Sequence, residues 1–122
     1  MPTRQIPREE WNSFFRMFSE QHEGWLSSVE LLSPEAGHMV EAKELPLQGI
    51  SLETKGTGAP EIVVVAGTTP ERHLSHAIRN PIEVWIREED GVVQTVEIRS
   101  PDQTTLLQLK MARQPGLTEA HP

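Results

Sequence analysis

The chain contains no cysteine and no tyrosine. The missing thiols exclude disulfide frameworks, thiolate zinc sites, iron–sulfur clusters and cysteine nucleophiles together. No apolar run approaches the roughly 20 residues that a bilayer crossing requires, and Met1-Pro2-Thr3-Arg4-Gln5 is not followed by an apolar segment. Basic residues are in deficit, 11 against 18 acidic ones, for a formal net charge of -7. Polyanionic nucleic acid repels a chain of that charge that has no basic stretch. The expected partners therefore include neither nucleic acid nor a membrane, and the expected location is the cytoplasm. The remainder is 36% hydrophobic and 24% charged over 122 residues. That balance suits one globular domain over 1–122, long enough to bury about two-thirds of its unfolded surface without a metal or disulfide.

Aromatic residues are few, three Phe and three Trp, so their placement is informative. Trp11, Phe14, Phe15 and Phe18 fall at i, i+3, i+4 and i+7, one face of a helix expected over about 7–23. Pro7 suits a first helical position, and Glu9 and Glu10 complement the helix dipole there. Gly24 is placed to end the helix. Burying the four rings is worth about 6–12 kcal/mol of gross hydrophobic stabilisation, so this helix must dock on an apolar surface.

The rest of the chain supplies strands, over about 24–112. Trp25, Val29 and Leu31 alternate along a first one, and Pro34 and Gly37 mark a turn. Residues 39–45 form a second, with Pro46 at an edge or bulge. Ile50 and Leu52 mark a third, and a Gly56-Thr57-Gly58-Ala59-Pro60 loop follows. Residues 62–66 are apolar on both faces, as in a strand covered twice. Ile82, Val84 and Ile86 then alternate with Glu83, Trp85 and Arg87. Asp90-Gly91 is a hairpin signal leading to Val92, Val96 and Ile98. Leu107, Leu109 and Met111 complete the inward set, and a loose tail is expected over 114–122. Short turns exclude parallel crossovers. The expected class is α+β, an N-terminal helix packed on a bent antiparallel meander of about seven strands, either an open sheet or a part-closed barrel.

Candidate chemistry is sparse. Glu71, His73 and His76 form the one metal-like cluster, since two His three apart share one side of a helical turn and a carboxylate could complete the set. The competing reading is a polar loop in which His76 hydrogen-bonds a turn before Pro81. Ser75 has His76 beside it, but adjacent side chains diverge, and there is no nucleophile elbow. Gly56-x-Gly58 lacks the Lys-Ser/Thr and the helix of a phosphate loop. Glu88, Glu89 and Asp90 read as a solvated hairpin tip. No catalytic constellation and no cofactor motif is present. Trp85 points away from the inner set, which places it either under the helix or a loop, the reading favoured from sequence, or in a homodimer contact together with Leu106.

Several stretches resemble a family of small, uncharacterised bacterial proteins, a domain of unknown function, over about 7–110. They are Glu10-Trp11 with Phe15 and Phe18, Gly24, Val40-Glu41-Ala42, Leu45-Pro46-Leu47-Gln48-Gly49-Ile50, and His76-Ala77-Ile78-Arg79-Asn80-Pro81. The resemblance implies that the segment holding His76 and Pro81 is characteristic. It implies no activity, substrate or cofactor. The functional expectation is therefore a non-catalytic binding or accessory module, homodimeric in one version, with metal or small-ligand binding through His76, His73 and Glu71 as the alternative.

Overall fold

A computed structural model describes residues 3–54 and 60–111. The tail expected over 114–122 and most of the loop around Gly56 and Gly58 lie outside the described residues. The order of elements is β1 (Thr3–Ile6), a 3-10 turn (Arg8–Glu10), α1 (Trp11–His22), β2 (Leu26–Ser33), β3 (Gly37–Glu53), β4 (Glu61–Thr69), β5 (Arg72–Arg79), β6 (Glu83–Glu89), β7 (Val92–Arg99) and β8 (Thr104–Lys110). All described pairings are antiparallel, in the sheet order β1-β6-β7-β8-β2-β3-β4-β5. The α+β class holds, with eight strands in place of the expected seven. The additional strands are β1, which is short and polar, and β5, whose His- and Arg-rich sequence reads as a loop. The two segments split at Pro46 are instead one strand, β3, of 17 residues.

Pro46 falls where β3 changes partners. Pairing with β2 ends at Leu26 opposite Pro46, and pairing with β4 begins at Leu47 opposite Ala66. Beyond Pro46 the β2-side edge of β3 has no strand to bond, and α1 takes that place. The Ser19 hydroxyl donates to the Ile50 carbonyl at 3.0 Å and accepts from the Ile50 N–H at 2.9 Å. Gly24 N–H donates to the Leu47 carbonyl, and Leu47 N–H to that of Trp25, both at 2.8 Å. Gly49 lies opposite the helix there, where a Cβ would stand 3.4 Å from Ser19 Oγ, at van der Waals contact. Trp11, Phe15 and Phe18 are buried as their spacing requires, while Phe14 packs at the margin of the core.

Three residues, 80–82, join β5 at one edge of the sheet to β6 beside the other edge. Four Cα steps reach at most about 15 Å. Six strand spacings in a flat sheet would need about 29 Å. The sheet must therefore be rolled, which is why one core draws on Ile6, Val29, Ile62, Ile78, Val84 and Leu107 together. Asn80 makes the corner with φ 54, a conformation Asn tolerates better than most residues. The roll stays open, because β1 and β5 are not paired. Arg8 spans the junction by donating to the Pro81 carbonyl at 3.1 Å, and Trp11 Nε1 donates to that of Ile6 at 3.0 Å.

Three inward expectations change. Ile82 precedes β6 and is 52% exposed, and Met111, past the end of β8, is exposed as well. On β7, Val93 and not Val92 is buried, because a bulge opposite Arg87 and Glu88 makes Gln94 the extra residue and reverses the alternation.

Two substitutions test this packing. Gly67 sits at a bulge of the β4–β5 hairpin with φ 94, and a Cβ there would lie 2.0 Å from the Arg72 carbonyl oxygen. Gly67→Ala should cost about 3 kcal/mol or more and lower the melting temperature by over about 10 °C. Thr105 is fully buried with an unpartnered hydroxyl. Thr105→Val keeps its shape and should raise stability by about 1 kcal/mol, seen as a melting temperature higher by about 3–5 °C.

Candidate functional site

The inner face of the roll is filled, so candidate sites lie at its mouth and on its outer face. The Glu71, His73 and His76 cluster does not assemble. Residues 72–79 are a strand, not a helical turn, so side chains three apart fall on opposite faces. His73 is exposed opposite Gly67, whereas His76 faces the interior opposite Val64. Glu71 is exposed in the turn before the strand. Among the described residues no group of three or more His, Asp or Glu side chains could hold a metal ion.

His76 is nonetheless chemically distinct. Its Nε2 is buried without a hydrogen-bond partner. Burial pushes its pKa below the ordinary 6.5, and the Glu41 carboxylate pulls the other way.

On the outer face, register aligns Gln5, Trp85, Glu97, Leu106, Glu30 and Val40 in one row across six strands. Trp85 is half-buried there and does not lie under α1, so the helix is not what covers it. The reason is alternation: Val84 and Ile86 face the core, so Trp85 cannot, and α1 lies on the core side. The indole is framed by charge instead. Trp85 Nε1 donates to Glu83 Oε1 at 3.1 Å, and the Arg99 guanidinium lies 5.5 Å from the ring centre. Arg99 also bonds Glu83 at 3.0 Å and Glu97 at 2.5 Å. The hydrogen bond that Arg99 donates to Glu97, the charge of Glu97 and that of Glu83 raise the guanidinium pKa further above its ordinary value. Leu106 stands two strands from Trp85, about 10 Å away, with Glu97 between them. Leu32 and Val40 extend the apolar exposure toward the β2–β3 hairpin, Val40 at 55%. Two shallow grooves of about 280 and 350 Å³ meet at Gln108 on this face. The face thus sets apolar side chains between ion pairs.

His22 escaped the sequence reading although it continues the aromatic stripe at the eleventh position after Trp11. It is buried, and its Nδ1 and Nε2 face the carbonyl oxygens of Phe18 at 3.0 Å and Val93 at 3.1 Å. Its ring stacks on Phe18 at 4.2 Å and meets Trp25 edge-on at 4.5 Å. This ties the end of α1 to β7.

A helix closing the gap in a rolled antiparallel sheet, with no group of three or more metal-ligating side chains among the described residues, defines a small α+β protein. The chain belongs to DUF5335, a family of unknown function, whose model matches residues 2–116. It is similar to an uncharacterised protein of Aquifex aeolicus (strain VF5), 31% identical over 113 residues that cover 92% of this chain and 96% of the relative. No solved structure matches the chain. None of the helices in the described residues is long and apolar enough to cross a membrane.

The depressed pKa of His76 sets a pH dependence. The unfolded chain takes up a proton below about pH 6.5 that the folded chain resists, so the contribution is whole above that pH and lost as the pH falls. Between about pH 7.5 and 5 the wild type should lose more melting temperature than His76→Leu. Melting curves that fall in parallel would remove His76 as the cause.

Proposed function

We propose that the protein is a small cytoplasmic binding or accessory module without chemistry of its own, and that it self-associates through the outer face of its sheet. The observation that carries this reading is the cross-strand row in which Trp85 and Leu106 lie on the one broad face that α1 leaves uncovered. A half-buried Trp flanked by paired charges resembles the anchors that dominate protein interfaces. The Glu83–Arg99–Glu97 set supplies both signs of charge beside that anchor, which suits a two-fold contact in which each copy meets its own patch.

A second reading, metal binding through His76, His73 and Glu71, draws on the unpartnered Nε2 of His76. It would require β5, an edge strand, to rearrange. Under that reading zinc or nickel raises the melting temperature and His76→Ala abolishes the rise; under the first reading neither metal shifts it.

Sedimentation velocity at about 10–100 μM is expected to show a dimer for the wild type. Trp85→Glu should be a monomer with a melting temperature within a few degrees of the wild type's monomeric value, because the site faces solvent in one copy. A wild type that stays monomeric across this range sinks the self-association reading.

A further inference from the structure

A second surface lies on the helix side of the molecule, separate from the face just described. Between the later turns of α1 and the β6–β7 hairpin runs a groove of about 340 Å³ whose walls include Phe14, Met17, Trp25 and Val92, with Arg4 and Glu88 at its rim. Met17 is 53% exposed and Val92 38% exposed, so the apolar walls are open to water. The floor includes His22, whose ring stacks on Phe18 behind it and meets Trp25 edge-on. Because both His22 nitrogens face backbone carbonyls, the floor is held in place and offers ring surface in place of free polar edges. At the rim, Arg4 Nη2 and Glu88 Oε2 stand 3.7 Å apart, beyond hydrogen-bond length, so each charge keeps donors or lone pairs for another partner. Exposed pairs of this kind hold each other weakly.

An aromatic floor beneath one cation and one anion is complementary to a molecule with a flat apolar body and both charges close together. We propose that this groove binds a small aromatic zwitterion of the amino-acid class, its ring against Phe14 and Trp25, its carboxylate on Arg4 and its ammonium on Glu88. The volume admits one such molecule and is too small for a helix of a partner protein. Guanidinium–carboxylate pairing would fix its orientation and the aromatic walls its ring.

The test is an NMR titration of the full chain with L-phenylalanine, alongside phenylpropionate and phenethylamine, which each lack one of the two charges. Saturable shifts are expected at the Trp25 indole N–H and at the Met17 and Val92 methyls by about 10 mM, with each analogue bound at least about tenfold more weakly. Arg4→Gln should weaken phenylalanine and phenylpropionate and leave phenethylamine unchanged; Glu88→Gln should do the reverse for the two analogues. Met17→Glu, at an exposed position, should keep the melting temperature and remove the shifts. No saturable shift by about 10 mM, or equal affinity for all three compounds, would overturn the proposal.

Discussion

The Ser19 hydroxyl joins the helix to the sheet at the point where the sheet has no strand to offer. It answers both backbone groups of Ile50. Left dry and unpaired, each of those groups would cost about 1–3 kcal/mol. The long strand β3 can bend away from β2 toward β4 only because something else bonds the edge it exposes. Trp11, Phe15 and Phe18 hold α1 against the core, and the Gly24–Leu47–Trp25 backbone bonds finish the seal. Hydrophobic burial supplies the affinity of the helix for the sheet, and the hydroxyl sets its register.

The connection between β5 and β6 imposes the second constraint. Its three residues force the ends of an eight-stranded sheet toward each other, and the left-handed Asn80 turns the corner. Rolling consumes the inner face, which is packed with aliphatic side chains and closed by the helix. Outside that packed interior lie the outer face with Trp85 and Leu106, and the groove that α1 forms with the β6–β7 hairpin. The two lie on opposite sides of the sheet.

Much of the framework was legible in the residues themselves. The stripe of Trp11, Phe15 and Phe18, the Asp90-Gly91 hairpin, the helix end at Gly24 and the alternation of Val84 with Ile86 all rest on local periods and turn chemistry, which act over a few residues. The failures were equally local. Residues 72–79 carry polar side chains on a strand whose identity comes from pairing with β4, and that partner lies well away from the pattern being read. Once they are a strand, period two replaces the helical spacing and separates His73 from His76. Val92 lost its inward place to Val93 because the bulge at Gln94 depends on how β7 is matched to β6. His22 continues the stripe, but a histidine in an aromatic series gives no sign that its Nε2 will reach the carbonyl of distant Val93.

Composition and period alone determined that this is a thiol-free, acidic α+β chain with one aromatic-faced helix and antiparallel strands, because propensity and alternation are properties of neighbouring residues. Tertiary structure decided the rest: that β3 runs unbroken through Pro46, that the sheet rolls, that Trp85 faces outward beside Arg99, and that Arg4 meets Glu88 above an aromatic floor. Each of these joins segments far apart along the chain. Their juxtaposition is set by which strand edges find partners and how short the connections are, and neither is written in any local stretch of sequence.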